Sequence, residues 1–400
     1  MQKLLEKAIL IFLILVWLSH LVQVFIPEVG FDAVWYHLPI VKAILEHKKL
    51  VFLPELYQSA NPLFSDLIFG LGFFFAGELG SKIVAYLFGL LLIISTYVLS
   101  RKFLNKFWSL IVVLIVSTFQ VVAWQYASFY VDIAKAFWEI SSLIALAKWK
   151  DNQQHKWLVI SALLFGASLA TKFFSLFLLP VFLCLVFIWS KREKFSQILS
   201  FTIGSLICSF PFYFFTYLKT DNPFFSFSQH LIKLGEIGGD SSFLSYIWQR
   251  TTLLPSLPVQ LVIARDYTSF VLILFLPVLF FYIQKLRNNK LLLGMTIFTI
   301  WQVFLWWYLP PLSTRYALSG FVIWTIISIW SVAGLSQKNS RFFQPILLSI
   351  FLAITINLAP RIFVNIRSFE YLSGSQNKQQ YIRQFFDGHI DQHLIKWHQF

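Results

Sequence analysis

The sequence predicts an all-α protein, a polytopic bundle of about eleven transmembrane helices. Composition is the first observation: 58% of the 400 residues are hydrophobic and 12% are charged, whereas soluble chains are about 45–50% apolar and about 25% charged. The second is that apolar runs of about 20 residues recur, long enough to cross a hydrocarbon core of about 30 Å. The third is that Lys and Arg collect in short segments between these runs.

The predicted spans follow the apolar runs along the chain. We place them at residues 5–26, 82–100, 107–125, 133–148, 156–171, 173–190, 196–217, 269–284, 291–309, 316–333 and 342–360. The first run is too long for a secretory signal and has no small-x-small cleavage site before Pro27, so we expect a retained anchor. Cys184 and Cys208 both lie in apolar runs, which indicates neither a disulfide framework nor a metal site.

One further apolar stretch, 62–79, is ambiguous because it contains Asp66. If it does not cross, every short basic loop falls on the side of the N-terminus. That side then holds sixteen of the 32 Lys and Arg, but only Glu6, Asp151 and Glu193 among the acids. Cytoplasmic loops collect Lys and Arg. We therefore expect 62–79 to lie along the membrane surface or to re-enter as a short hairpin, with the N-terminus inside and the C-terminus outside.

The net charge of +14 is then mostly a consequence of orientation, and no nucleic-acid partner is expected. We expect a multi-pass protein of the plasma (inner) membrane whose active site faces the outside or periplasm. Residues 1–360 form the transmembrane domain in this interpretation. It includes a first external loop with surface helices, 27–81, and a second external loop, 218–268; the segment 361–400 is an external tail.

Asp32 is the first candidate functional residue. It follows the first span on the outer side and opens a predicted surface helix over 33–48, where Tyr36 shares its face. Asp is a favoured N-cap because its carboxylate accepts a backbone N–H of the first turn. The carboxylate therefore has two interpretations: a helix cap, or a group held at the membrane surface to accept a proton.

A second acidic cluster opens the span at 133–148. Asp132, Lys135 and Glu139 lie at i, i+3 and i+7, so they share one helical face. An ionisable group such as Glu139 inside a membrane costs about 2.5–3.5 kcal/mol, so this face must turn toward protein or a water-filled cavity. A Lys135–Glu139 pair has a structural interpretation, whereas Asp132 is either a cap or an active-site acid.

Lys172, Arg265 and Arg315 each lie at the outer end of a predicted span. Each could be an interfacial anchor that extends its charge to water. Together with the acids, however, they suit a reaction on a lipid-linked phosphate. Cations stabilise charge that develops on a phosphate leaving group, and a carboxylate that deprotonates the attacking hydroxyl contributes roughly 10²–10⁴-fold in rate. The sequence contains no P-loop or dinucleotide fingerprint.

Several segments resemble the GT-C glycosyltransferases, membrane enzymes that use polyprenyl-phosphate sugars and include protein O-mannosyltransferases, lipid A aminoarabinose transferases and Rgt-type lipopolysaccharide transferases. The resemblance covers roughly residues 1–330. It is carried by the segments FDAVWYHLPIVKAILEHKKL, QSANPLFSDLIFGLGFFFAGELGSKIVAYLFG, YVDIAKAFW, LLFGASLATKFF, PFYFFTYLKTDNPFFSF and TRYALSGF. The family's paired prolines are reduced here to Asn61-Pro62, and Asp221 stands where Gly is usual.

The resemblance implies an inverting transfer in which Asp32 is the base and Asp132 supports the acceptor or a metal. The donor would be a polyprenyl-phosphate sugar and the acceptor a lipid, glycan or protein hydroxyl. Candidate substrate and phosphate contacts are Lys172, Arg265, Arg315, His37, Tyr36 and Glu55. Some family members bind a divalent cation near the acids, and His37 and Glu55 could join such a site, but we assign no metal.

Two other classes stay open. A transporter or flippase of lipid-linked sugars would often show internal repeats and charges near the membrane midplane, whereas no repeat is visible and most charges cluster at one face. A non-catalytic assembly subunit could keep the fold without the chemistry. The segment 218–268, with Gly235, Gly238 and Gly239, is expected to be a mobile lid or acceptor platform.

Overall fold

The computed structural model describes residues 2–229, 231, 243–263, 268–309 and 313–385. Helices dominate this part of the chain, where an isolated bridge between Leu53 and Leu56 is the only extended pairing. Gly235, Gly238, Gly239 and Arg265 lie outside the described residues.

The helices, numbered in chain order, are α1 Gln2–Val22, α2 Leu38–His47, α3 Phe64–Ser100, α4 Lys106–Ser117, α5 Gln120–Gln125, α6 Asp132–Asn152, α7 His155–Leu169, α8 Leu179–Trp189, α9 Lys194–Thr220, α10 Phe243–Thr252, α11 Leu257–Ile263, α12 Val271–Leu274, α13 Leu276–Phe281, α14 Ile283–Asn288, α15 Lys290–Tyr308, α16 Leu318–Lys338, α17 Phe343–Leu372 and α18 Lys378–Phe385. Short 3₁₀ turns join several of them, at Gln23–Phe25, Tyr57–Ala60, Phe173–Leu178, Leu254–Ser256, Thr314–Ala317 and Ser340–Phe342.

The eleven predicted spans all coincide with helical segments. Among the described residues, six helical stretches are long and apolar enough to cross a membrane, judged by length and composition: Lys3–Phe25, Phe64–Ser100, Lys194–Thr220, Lys290–Tyr308, Thr314–Lys338 and Ser340–Leu372. The other predicted spans correspond to the charged helix α6 and to shorter apolar helices. The all-α, polytopic membrane fold expected from the sequence is thus confirmed.

The doubtful stretch 62–79 doubles back on the helix that follows it. Helical geometry breaks at Ala76 and at Gly77, whose φ is +58°, a conformation that glycine adopts without steric cost. In a straight helix the rings of Phe69 and Phe88 would be roughly 28 Å apart at 1.5 Å per residue, yet their centroids are 6.0 Å apart. The two halves of α3 therefore form a hairpin, in which 62–79 supplies one arm with the turn and the predicted span 82–100 supplies the other. That 62–79 lies along the membrane surface or re-enters as a short hairpin stays a prediction.

The core of the bundle lies around α4, α6 and α16. Every residue of α4 after Lys106 is buried, α3 packs on α6, and α7 packs between α6 and α9. The outward-facing side chains are largely apolar, such as Phe75 and Phe281, which are 82% and 88% exposed. Large exposed apolar surfaces of this kind are rare on soluble proteins and agree with a surrounding lipid phase.

The segment after α1 begins differently from the surface helix that the sequence predicts. The predicted surface helix over 33–48 begins with a π-helical turn, Ala33–His37, before α2. Such turns are rare and often occur at functional sites.

At the other end of the chain, α17 continues through Pro360 to Leu372, so helix extends into the segment expected to be a tail. Arg361 consequently lies on a helix and is buried.

Candidate active site

Asp32 forms an ion pair with Arg315 although 283 residues separate them. Arg315 Nη1 lies 2.8 Å from Asp32 Oδ2. Tyr36 donates a hydrogen bond of 3.3 Å to the same oxygen, and the Asp32 N–H donates to the Tyr130 hydroxyl at 3.0 Å. The carboxylate makes no capping hydrogen bond to the helix that follows. Of its two interpretations, the structure therefore excludes the helix cap.

Asp132 is the second carboxylate of the cluster and is more deeply buried. Its Oδ1 lies 2.5 Å from Lys172 Nζ, and its Oδ2 lies 3.8 Å from Arg315 Nε and 3.4 Å from Gln125 Nε2. Only 1% of the Asp132 side chain is exposed, against 14% for Asp32. Asp132 thus uses both oxygens to hold cations and an amide, and Arg315 bridges the two acids.

The two cations keep donors available. Arg315 also donates to the Tyr316 hydroxyl at 3.3 Å, while its Nε forms no hydrogen bond among the described residues. The Lys172 ammonium lies 4.2 Å from the centroid of the Tyr316 ring, a cation–π contact. Neither side chain reaches out to the membrane surface as an interfacial anchor does, because only 12% of Lys172 and 15% of Arg315 is exposed.

These side chains line a cavity of about 180 Å³. Its wall contains Asp32, Lys172 and Arg315 together with aromatic and amide side chains, among them Tyr36, Tyr57, Tyr316, Trp35, Gln58 and Asn61. Burial, and then the neighbouring Asp32 carboxylate, raise the pKa of the Tyr36 phenol well above its ordinary value. Tyr36 consequently stays a protonated donor. Burial also lowers the pKa of the Lys172 ammonium, although Asp132 opposes this.

A second buried pair stands at the edge of the same cavity. His37 Nδ1 lies 2.5 Å from Asp66 Oδ1, and the two side chains are 5% and 2% exposed. The start of α3 holds Asp66 there, since the Phe64 N–H donates to Ala170 O at 2.8 Å and so joins this helix end to the loop that carries Lys172. The acid that made 62–79 doubtful as a span is therefore part of the site wall.

Beneath the cavity, Glu139 holds the segments that carry the two cations. Its carboxylate pairs with Lys135 at 2.8 Å and accepts hydrogen bonds from Ser168 (3.0 Å), Ser175 (3.1 Å) and Ser319 (2.5 Å). Ser168 and Ser175 flank Lys172 in sequence, and Ser319 follows Arg315. The Lys135 ammonium also donates to Tyr316 O at 3.1 Å. The structural Lys135–Glu139 pair anticipated from the sequence is present, and it fixes both cation-bearing loops to α6.

Two amide oxygens in the cavity wall have no partner. Gln58 Oε1 and Asn61 Oδ1 are buried and accept no hydrogen bond among the described residues. They lie in and just after the 3₁₀ turn Tyr57–Ala60. Leaving a buried polar group unsatisfied costs about 1–3 kcal/mol, so these amides are candidates to bind a ligand hydroxyl.

The donors of this cavity do not fit a divalent cation. Lys172 and Arg315 already neutralise Asp132 and Asp32, and their positive charges oppose a second cation. In the described part of the chain, no group of three or more His, Cys, Asp or Glu side chains is arranged to hold a metal ion. No step of the mechanism below passes through a metal.

The predicted site residues separate into three groups. Asp32, Asp132, Lys172 and Arg315 form one connected cluster, and Tyr36 and His37 line the same cavity. Glu55 is exposed and does not belong to the cavity wall. Arg265, outside the described residues, stays a prediction.

Sequence reasoning missed the aromatic and amide part of the wall. None of Tyr57, Gln58, Asn61 and Tyr316 belongs to a charge pattern. The first three reach the cavity through the fold of the first loop, and Tyr316 through the turn Thr314–Ala317. The available signal was proximity in sequence: Tyr316 adjoins Arg315, and Asn61 immediately precedes the Pro62 singled out above.

Comparison with known proteins agrees with this architecture. Residues 62–216, about two fifths of the chain, match the family model described as dolichyl-phosphate-mannose-protein mannosyltransferase. That segment contains Asp66, Asp132 and Lys172. None of the curated proteins matches the chain in sequence.

Two solved proteins share the fold. ArnT from Cupriavidus metallidurans in the apo state aligns with a TM-score of 0.63 and 15% identity over 92% of this chain and 70% of that one. The same protein bound to undecaprenyl phosphate aligns over 82% of this chain and 59% of that one, with a TM-score of 0.56 and 15% identity.

The oligosaccharyltransferase AglB from Archaeoglobus fulgidus, in complex with an inhibitory peptide and a dolichol-phosphate, aligns over 88% of this chain and 55% of that one, with a TM-score of 0.53 and 14% identity. The chain thus spans between 55% and 70% of the lengths of these proteins. In architecture, this chain shares the fold of ArnT and AglB.

Proposed function

We propose that the chain transfers a sugar from a polyprenyl-phosphate donor to an acceptor hydroxyl, with inversion at the sugar carbon, in the cavity lined by Asp32, Lys172 and Arg315. The family model matched by 62–216 and the lipid phosphates bound to ArnT and AglB support the donor class. The observation that carries the proposal is that one partly exposed carboxylate and two cations with spare donors line a single cavity.

In this mechanism Asp32 accepts the proton of the acceptor hydroxyl. Asp32 Oδ2 is held by Arg315 and Tyr36, whereas Oδ1 forms no hydrogen bond with the described residues. As the acceptor oxygen bonds to the sugar C1, the bond between C1 and the phosphate oxygen breaks, and its electron pair leaves with the polyprenyl phosphate. A single displacement of this kind inverts the configuration at C1.

Lys172 and Arg315 stabilise the leaving group. The donor is a phosphodiester and the product is a phosphomonoester, so negative charge on the phosphate increases along the reaction, and preorganised cations stabilise such a transition state most. Arg315 can bind phosphate oxygens in bidentate fashion through its guanidinium. Donor phosphate would then compete with Asp32 for Arg315, and its arrival would release the carboxylate toward the acceptor.

Asp132 is a positioning residue in this scheme. It is almost fully buried and holds Lys172 at 2.5 Å, so it sets the place and charge of the ammonium without reaching the reacting atoms. The transport alternative would also need a phosphate-binding cavity, but it leaves the donor chemically unchanged.

The test is Asp32→Asn in the purified full chain, assayed with a panel of polyprenyl-phosphate sugars and membrane acceptors. We expect sugar transfer to fall by roughly 10²–10⁴-fold, the usual contribution of a general base, with unchanged thermal unfolding. Glu46→Gln is the matched control, because Glu46 is an exposed acid on α2 of the same loop. Retained transfer in Asp32→Asn would remove Asp32 as the base, and movement of intact donor across liposomes would favour transport.

We also propose that the cavity faces the extracytoplasmic side of the inner membrane. The excess of basic residues in the loops on the opposite side of the predicted topology supports this orientation. In a chain whose Cys184 and Cys208 are replaced, the Glu46→Cys variant should react with an impermeant thiol reagent in intact cells, and the Lys191→Cys variant only after lysis. Both positions are exposed. The reverse pattern would invert the orientation.

A further inference from the structure

A second polar cavity, of about 220 Å³, lies where α1 ends and α17 passes Pro360. This volume far exceeds the roughly 30 Å³ that one water occupies. Tyr130 separates it from the candidate active site: its ring packs on Trp124, which lines the second cavity, and its hydroxyl accepts the Asp32 N–H. The two cavities are therefore neighbours that share a wall but no lining residue.

Two buried cations line this cavity. Lys82 and Arg361 are 3% and 5% exposed. The Lys82 ammonium donates to Ile26 O at 2.5 Å, and Arg361 Nε has no hydrogen-bond partner among the residues that the structure describes. Within the described part of the chain neither cation forms an ion pair. A buried charge without a partner is strongly unfavourable, so an anion that completes the site is expected.

The acid in the cavity wall does not supply that anion. Glu28 accepts hydrogen bonds from the backbone N–H groups of Val29 (3.0 Å), Gly30 (2.7 Å) and Phe129 (3.2 Å) and from the Ser128 hydroxyl (2.8 Å). Its oxygens are thus saturated by neutral donors. Burial raises the pKa of the Glu28 carboxyl above its ordinary value, despite the opposing influence of Lys82. A second acid, Glu78, accepts the Glu28 N–H and acts on Lys82, but it is itself paired with Lys378 at 2.9 Å. With three cations against two acids, the surroundings of the cavity keep a positive charge.

The cavity lies at the end of two apolar segments, which indicates its depth. Glu28 follows the first apolar run by two residues, and Arg361 directly follows the apolar stretch 342–360. Gln23 Nε2 donates to Asn365 Oδ1 at 2.6 Å and joins the end of α1 to α17 at this level. Next to Arg361, Phe363 is 60% exposed on the outer surface of the bundle. A headgroup at the hydrocarbon boundary would meet the cavity here.

We propose that this cavity is a second phosphate site, in which Arg361 and Lys82 bind the phosphate of an anionic lipid headgroup. The guanidinium offers a planar pair of donors to phosphate oxygens and the ammonium a point charge. The inference is independent of the proposed sugar transfer, because it concerns binding alone and uses none of the residues of the candidate active site.

The experiment uses the full chain in nanodiscs of phosphatidylcholine, alone, with a minor fraction of phosphatidic acid, or with inorganic phosphate in the buffer. Thermal unfolding and native mass spectrometry of retained lipid are measured for the wild type, Arg361→Met and Lys82→Met. Arg367→Met is the matched control, since Arg367 is exposed on the same helix and does not line the cavity. Phosphatidic acid should stabilise the wild type and the control, while Arg361→Met weakens its retention about tenfold or more.

A second readout separates a ligand site from a structural role. In phosphatidylcholine alone, Arg361→Met should unfold at the same temperature as the wild type or a higher one, because it removes a buried charge that has no partner. Arg361-dependent stabilisation by inorganic phosphate as well would show that a soluble phosphate reaches the same site. Equal stabilisation of Arg361→Met and the wild type by both probes, or an equal loss in the Arg367→Met control, would overturn the proposal.

Discussion

Helix α6 carries two buried carboxylates, Asp132 and Glu139, two turns apart, and their surroundings differ. Glu139 is fully buried, pairs with Lys135 and accepts hydrogen bonds from three serines, so its oxygens are saturated by the protein. Asp132 holds Lys172, which faces a cavity together with Asp32 and Arg315. Burial and ion pairing are common to both regions. What distinguishes the candidate active site is the cavity and the donors and acceptors that remain unused beside it.

The difference also suggests that the two carboxylates of α6 have different roles. Through Ser168, Ser175 and Ser319 the Glu139 network fixes the loop that carries Lys172 and the turn that carries Arg315. A rigid lower layer of this kind preorganises the charges above it, and electrostatic catalysis depends on such preorganisation. Substitutions in the lower network around Glu139 should therefore change mainly the stability of the protein. Substitutions in the upper cluster of Asp32, Asp132, Lys172 and Arg315 should change mainly its activity.

The largest expected effect concerns stability. Glu139→Gln leaves the Lys135 ammonium buried beside a neutral amide, and breaking a buried pair in this way costs about 3–5 kcal/mol. Asp132→Asn should cost clearly less, because Lys172 is 12% exposed and adjoins a cavity that can admit water. The measurement is the free energy of unfolding in detergent micelles, with Glu46→Gln as the neutral control.

The double variant Lys135→Met with Glu139→Leu should recover much of the lost stability, since an apolar pair often replaces a buried ion pair at little cost. If Asp132→Asn destabilised the protein as strongly as Glu139→Gln, the upper cluster would be as structural as the lower network. The distinction between the two regions would then disappear.

The next effect is a pH dependence specific to the upper cluster. Burial lowers the pKa of Lys172, so the ammonium loses its proton, and its ability to stabilise a phosphate, at lower pH than an ordinary lysine, whose pKa is about 10.4. On the alkaline side, the decline of transfer activity should therefore begin at a pH below about 10.4. Lys172→Arg should move this limb upward, because a guanidinium stays charged with a pKa above about 12.

Lys148→Arg is the matched control for this shift, because Lys148 lies on α6 far from the cavity and its ammonium is 4.2 Å from the Trp157 ring. If the alkaline decline of activity occurs at the same pH in Lys172→Arg as in the wild type, the group that titrates is not Lys172. Tyr36 does not titrate in this window, since its pKa is raised well above the ordinary phenol value.

Much of this arrangement was accessible from the sequence. The apolar runs and the basic loops predicted an all-α membrane bundle, and the expected common outer placement of Asp32, Asp132, Lys172 and Arg315 agrees with the single cluster that they form. These are long-range contacts, but charge is costly in a membrane, which limits where such residues can go.

The remaining features depend on tertiary geometry that no local pattern encodes. His37 and Asp66 lie 29 residues apart and meet through the fold of the loop between them. The sequence places Arg361 at the start of a tail that follows the apolar run 342–360, whereas α17 continues through Pro360 and Arg361 is buried on this helix. Periodicity predicts the faces of helices, but it does not predict which faces meet.

The smallest expected effect lies in the cavity wall rather than among the charges. Gln58 Oε1 is a buried acceptor without a partner in the described part of the chain, and a sugar hydroxyl is a donor of suitable chemistry. Gln58→Met keeps the length of the side chain and removes the acceptor. One neutral hydrogen bond contributes about 0.5–1.5 kcal/mol, so KM for the donor should rise roughly 2–10-fold with kcat little changed, as uniform binding requires.

The wild type should also discriminate by this factor against the deoxy donor that lacks the contacted hydroxyl, and Gln58→Met should treat that donor and the parent sugar alike. A series of deoxy donors identifies which hydroxyl is involved. Equal discrimination in the variant and the wild type would show that the Gln58 amide forms part of the cavity wall but does not bind a sugar hydroxyl. In the Glu139 network, by contrast, no oxygen is left for a ligand, so conservative changes there should alter how much protein folds without altering which sugar it prefers.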